Sequence, residues 1–182
     1  MYLERKQSRS RSKRAEQSAI AREMLYTALS EKFALPMIEI KKTAEGKPYF
    51  DGVGYPAFSI SHTDGAVCVA VSDTAESVGV DIEKCTERLR NKRITDRFFP
   101  HLTPHENEIN DIEILTESES RIEPSVDSVF TLGEAIIKCD GRGFAIASEA
   151  HSLSLKMKKS SFTLTAHGAD YALSIATKEK EI

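Results

Sequence analysis

The chain has 182 residues, 40% of them hydrophobic and 29% charged, with a formal net charge of −3. That length suits one well-packed domain or two small halves sharing a core, and the near balance of charge gives no bulk signal for nucleic acid or membrane. Cys68, Cys85 and Cys139 are odd in number, widely spaced and without a CxxC, which excludes a disulfide framework or zinc cluster and predicts reduced thiols. No apolar run reaches the ~20 residues of a spanning helix. No h-region follows the basic start of the chain, so the expected location is the cytoplasm.

Charge is unevenly spread. Residues 1–14 carry Arg5, Lys6, Arg9, Arg11, Lys13 and Arg14 against Glu4 alone, and a solvated, disordered arm is expected over residues 1–12. From 15 to 33 the pattern is helical, with a stripe of Ile20, Met24, Leu25, Ala28 and Leu29, and Pro36 closes it. Residues 37–41 alternate as a short strand, and GKPYF (46–50) reads as a turn into another. Residues 57–62 and 66–72 predict a hairpin with its turn at 62–65.

Next comes VGVDIEK (78–84), the strand around which the chain is organised. Val78, Val80 and Ile82 alternate with Gly79, Asp81 and Glu83, so the two carboxylates share one face. Residues 86–99 predict a helix ending before Pro100. Eight acidic residues stand against Arg121 in 105–127, within a polar region over 101–125 expected to be a mobile or loosely helical excursion. A helix follows over 127–140 with Val129, Leu132, Ile136 and Cys139 inward, stopped by Gly141 and Gly143. Strands are predicted over 152–158, 162–166 and 171–177.

Residues 58–71 match 162–175 in pattern without a gap, Phe58 answering Phe162, Ile60 answering Leu164, and Val71 answering Ile175. Each stretch follows a helix. The match predicts an α+β fold made of two similar halves, 1–74 and 75–182, packed about a pseudo-twofold axis with a ligand cleft between them. Chance likeness of two amphipathic hairpins is the simpler alternative.

Several side chains then suggest chemistry. Asp81 and Glu83 repel unless a cation lies between them, and an ordinary solvated strand face is the other reading. Glu134 and Lys138, four apart on a helix, make a surface ion pair in the plain reading. Beside the central strand, Glu134 would instead add a third hard oxygen donor suited to Mg²⁺, with Lys138 near a phosphoryl oxygen. Lys47 and His62 are turn residues in the plain reading, and with Lys138 they would offer three donors to a polyanion. His101 and His105 flank Pro104, which spoils a helical zinc pair. GxGxxG, P-loop and GxSxG motifs do not occur.

Taken in order, GKPYF, FSISHT (58–63), VGVDIEK, RFFP (97–100) and FTLGEAIIK (130–138) resemble the motifs of the Sfp-type 4′-phosphopantetheinyl transferases over roughly residues 16–144. The resemblance implies a pseudo-dimer of two similar α/β halves with antiparallel sheets packed against helices. It implies Mg²⁺-dependent transfer of 4′-phosphopantetheine from coenzyme A to a serine of an apo acyl or peptidyl carrier protein, releasing adenosine 3′,5′-bisphosphate. Asp81, Glu83 and Glu134 would be the metal ligands, Glu134 also the base for the carrier serine, and Lys138 the cation on the pyrophosphate. Gly46, Lys47, Ser61 and His62 would contact coenzyme A. A monomer is implied, with no membrane or nucleic-acid partner.

Gly133 departs from the family pattern, which has a lysine there, and glycine within a helix costs about 1 kcal/mol relative to alanine. Phe130 stands where Sfp-type members generally carry tryptophan, and a basic arm precedes the first helix where those members carry opening strands. These departures motivate an alternative of another class, a degenerate relative that binds coenzyme A or a partner without turnover. The basic arm raises a third, nucleic-acid binding, but only Tyr2 interleaves its charges with an aromatic ring.

Overall fold

Nothing in residues 2–33 interrupts a helix: the segment holds neither glycine nor proline and is rich in Arg, Lys, Gln, Glu and Ala. In a computed structural model, which describes residues 2–36, 38–86, 92–103, 108–109, 120–125 and 129–180, helix α1 accordingly runs Tyr2–Phe33. The basic stretch expected to be a disordered arm is thus the first turns of that helix. Side chains are described from residue 13 onward, apart from Lys92. The buried stripe of α1 is Ala21, Leu25 and Leu29, at four-residue spacing, while Ile20 is exposed. The helix ends with the Leu35 N–H donating back to the Leu29 carbonyl at 3.1 Å, with Ala34 in the left-handed region at φ 51°. The chain divides by contacts into two units, Met1–Met37 and Ile38–Ile182.

Among the described residues the second unit is α+β, with three antiparallel sheets. Strands β1 (Ile40–Lys42) and β2 (Pro48–Phe50) pair through a turn in which the Gly46 N–H donates to the Thr43 carbonyl. Gly46 has φ 92°, a conformation that glycine adopts without strain. Strands β3 (Ala57–Thr63) and β4 (Ala66–Ser72) form the expected hairpin, turning at Asp64-Gly65. The central strand β5 (Ala75–Lys84) heads a four-stranded sheet ordered β5-β8-β7-β6, where β6 is Arg121–Pro124, β7 Lys158–Ala166 and β8 Ala169–Glu179. Helices α2 (Lys92–Phe98), α3 (Val129–Asp140) and α4 (Ala150–Ser154) complete it, with a 3-10 stretch over Phe144–Glu149.

Three expectations are corrected. The polar region contributes the edge strand β6, pairing Ile122 with Leu164; Pro124, which has no N–H to give, is tolerated on this edge strand, and the Ser125 N–H carries the pairing on to the Ser161 carbonyl at 2.8 Å. A strand with one apolar residue leaves no period to read. Residues 152–158 are predicted to form a strand, and Leu153, Leu155 and Met157 do alternate. They instead close α4 and a turn, with Ala150 and Ser154 buried one helical turn apart and Leu155 exposed. The gapless repeat also fails past the turn: Phe58 pairs with Val71, but Phe162 pairs with Leu173 rather than Ile175. Both stretches are hairpins, with different internal register. Residues 87–91 of the predicted second helix, 127–128 of the third, and 104–107 and 110–119 of the acidic segment lie outside the described residues.

The sheet is covered on both faces. On one, Val80 and Ile82 join Tyr171 and Leu173, with Ala66, Cys68 and Ala70 of β4 packed against them. On the other lies α3, whose Leu132, Ala135, Ile136 and Cys139 form a core with Phe99, Ala147, Ala150 and Ala176. Gly79 lets α3 come down onto β5: a Cβ there would stand 2.0 Å from the Ala135 carbonyl oxygen and 2.4 Å from the Cys139 nitrogen. Burying the larger of these side chains, Leu132, Ile136 and Phe99, stabilises by about 1.5–3 kcal/mol each. The close approach is what sets the height of Glu134 and Lys138 above the strand.

Candidate functional site

Asp81 and Glu83 leave β5 on the α3 side, as the alternation predicts. Asp81 is only 2% exposed. Its Oδ1 accepts a hydrogen bond from Lys138 Nζ at 2.6 Å and another from Ser61 Oγ at 2.8 Å. Lys138 Nζ also donates to Ser61 Oγ at 3.0 Å. The other carboxylate oxygen, Oδ2, is buried with no hydrogen-bond partner. Burying a carboxylate oxygen without a donor is costly, and a positive charge beside it would offset that cost.

Glu134 lies one turn before Lys138 on α3, half-buried. Burial, and then repulsion from Asp81, outweigh the attraction of Lys138; with a smaller push from Glu83 they raise its carboxyl from 4.5 to about 7. The plain reading of Glu134 and Lys138 as an exposed surface pair is therefore set aside, since Lys138 is bonded to Asp81. Glu83 is held by Thr63, whose Oγ1 donates to Oε2 at 2.9 Å.

Lys47 reaches the C-terminal end of α3. Its Nζ donates to the Cys139 carbonyl at 2.6 Å and also to Ser77 Oγ, and Ser77 Oγ donates to that same carbonyl at 2.5 Å. Cations favour this end of a helix, where carbonyls lack intrahelical partners. Burial lowers the Lys47 pKa, against the pull of nearby Cys139, Asp140 and Glu76. The aliphatic stem of Lys47 passes over Gly141, where a Cβ would lie 3.0 Å from Lys47 Cδ.

Gly46, Lys47, Phe58, Ile60, Glu134, Lys138 and Phe144 are among the residues lining a cavity of about 320 Å³. The structure thus brings Asp81, Ser61 and Lys138 into direct contact, and Lys138, Glu134, Lys47 and Gly46 onto one cavity. His62 is exposed on the Phe58–Ile60 face of β3, beyond the cavity lining. Among the described residues no three His, Cys, Asp or Glu side chains already converge as a metal centre. The donors fit a hard divalent cation in kind, being carboxylate oxygens with one of them buried and unpartnered.

Motif reading missed several contributors. Gly79 sets the helix–strand approach and Ser77 braces the end of α3. Phe99 fills the space beside Gly133, where a Cβ would stand 2.4 Å from its ring. Thr63 could have been found from period alone, because Ser59, Ser61 and Thr63 alternate as Gly79, Asp81 and Glu83 do.

No family model matches the chain, and no curated protein matches it. Among the described residues no helix is long and apolar enough to cross a membrane.

Proposed function

We propose that the chain is a 4′-phosphopantetheinyl transferase, moving 4′-phosphopantetheine from coenzyme A to a serine of an apo acyl or peptidyl carrier protein, with Mg²⁺ held by Asp81, Glu83 and Glu134. The observation that carries the reading is the meeting of Lys138, Asp81 and Ser61 within 2.6–3.0 Å, with Glu134 beside them on the cavity wall. Mg²⁺, when bound, would supply charge neutralisation to a pyrophosphate. Glu134 accepts the proton of the carrier serine hydroxyl as that oxygen attacks phosphorus. The phosphorus–oxygen bond to adenosine 3′,5′-bisphosphate breaks, and Lys138 offsets the charge that develops on the leaving phosphate. Lys47, Gly46, Ser61 and His62 belong to the coenzyme side of the site in this reading. The fold would be a monomeric pseudo-dimer with halves 1–74 and 75–182, working in the cytoplasm.

Purified protein given coenzyme A, Mg²⁺ and several apo-carrier proteins tests it. Gain of the phosphopantetheine mass on a carrier serine is expected; coenzyme A binding with no carrier modified ends the catalytic reading. One observation favours the second reading, a coenzyme A-binding relative without turnover. The Phe99 ring occupies the space a side chain at position 133 would need, so the cation found there in the family has no place in this packing.

A further inference from the structure

Strands β3 and β5 run side by side in the same direction at a constant offset, yet no backbone ladder joins them. Hydroxyls make the connection. Ser59 Oγ accepts from the Val80 N–H at 3.1 Å, and Ser61 Oγ accepts from the Ile82 N–H at 3.3 Å. Two further contacts reach carboxylates: Ser61 Oγ to Asp81 Oδ1 and Thr63 Oγ1 to Glu83 Oε2, each spanning 20 residues. The register partners of Ser59, Ser61 and Thr63 on β4 are Ala70, Cys68 and Ala66, small residues that pack against the Val80–Ile82 cluster. That small-residue face lets the hairpin come close enough for short hydroxyl side chains to reach the edge of β5.

We infer that Ser61 and Thr63 are positioning residues that aim Asp81 and Glu83, each hydroxyl holding one carboxylate oxygen and so fixing the direction of the other. At Asp81 the consequence is visible: Oδ1 is taken by Ser61 and Lys138, and Oδ2 is left buried and unpartnered. Thr63 has the same relation to Glu83 that Ser61 has to Asp81, with the same two-residue step on each strand. The inference assigns Thr63 a role that motif reading did not give it. It gives Ser61 a second role, toward the Asp81 carboxylate, beside the coenzyme contact proposed for it. It rests on the proposed use of these carboxylates as a divalent-cation site.

The test is direct titration of the metal-free protein with Mn²⁺, followed by its paramagnetic signal and independent of turnover. Thr63→Val keeps the β-branched shape and removes the hydroxyl, and is expected to raise the Mn²⁺ dissociation constant about tenfold, the scale of one hydrogen bond to a charged group. Thr63→Ser, which keeps the hydroxyl, is expected to restore binding to within about twofold of the unaltered chain. Ser61→Ala should weaken Mn²⁺ at least as much, but it also strips an acceptor from the Ile82 N–H, so Thr63→Val decides. Mn²⁺ binding by Thr63→Val equal to that of the unaltered chain overturns the inference. So does an unaltered chain that takes up no Mn²⁺. Uptake with the expected losses but no transfer to any carrier leaves the positioning role standing and removes the transferase reading.

Discussion

Gly79 lies so near α3 that a Cβ on it would stand 2.0 Å from the carbonyl oxygen of Ala135. Strand and helix backbones meet there, and the meeting sets where Glu134 and Lys138 stand above Asp81. Gly79→Ala cannot be absorbed by a side-chain shift, because the atoms in its way are backbone. It is expected to cost about 3 kcal/mol, the upper end for overpacking. Urea denaturation measures this, and a loss below about 1 kcal/mol would show that α3 can lift without penalty.

Gly133 makes a sharper case, because two principles give opposite signs. Helix propensity alone says that Gly133→Ala gains about 1 kcal/mol. The Phe99 ring, 2.4 Å from where that Cβ would be, says that stability falls. A fall of about 1–2 kcal/mol is expected in the intact chain and a gain in a Phe99→Ala background. A double-mutant cycle reads the coupling directly; additive effects would refute the contact.

Lys47, for which a coenzyme A contact is proposed, also holds the last turn of α3 through the Cys139 carbonyl and Ser77. Lys47→Met should therefore lower unfolding free energy by about 1–2 kcal/mol with no ligand present. It should also weaken coenzyme A binding, since Lys47 lines the cavity. Calorimetry of the free protein and titration with coenzyme A separate the two; unchanged stability would return Lys47 to a purely ligand-facing role.

Asp81→Asn keeps the shape and removes the charge. Metal-dependent transfer is expected to drop by about 100-fold or more. The far-UV circular dichroism should be unchanged, because Lys138, 32% exposed, can turn its amino group to water. Activity close to that of the unaltered chain removes the metal assignment.

Cys68 gives a pH prediction. Burial pushes its thiol from 9.0 up to about 12, with Lys138 pulling down and Asp81 pushing up by smaller amounts. The folded state binds this proton more tightly than the unfolded chain does. Its contribution is whole below about pH 9 and is lost as pH rises toward 12, so stability should fall across that window. Alkylation of Cys68 in the folded protein should be slow at pH 8, read by mass spectrometry. Rapid labelling there would contradict the protonated thiol.

Much of the second unit was legible from period and punctuation. The 57–72 hairpin and the alternation of β5 follow from side chains that must bury one face, and the apolar face of α3 follows from its helical spacing. The face shared by Asp81 and Glu83 was equally plain. The N-terminal stretch reads as a solvated arm from its charges, although it lacks glycine and proline and its many Arg, Lys, Gln and Glu residues favour a helix. Edge strand β6 was illegible because four residues with one apolar side chain carry no period. Residues 152–158 show a period of two that the tertiary context overrode.

The sequence by itself determined which residue types are available: three carboxylates, a lysine four residues after one of them, and alternating hydroxyls two strands earlier. It determined their faces, since alternation is a property of the strand alone. Only the tertiary structure decided which faces meet. Gly79 allows α3 to lie on β5, and small residues on β4 let the hydroxyls of β3 reach the same strand from its other edge. Contact between elements far apart in sequence depends on how closely backbones approach, and that is set by the volumes packed between them rather than by any local pattern.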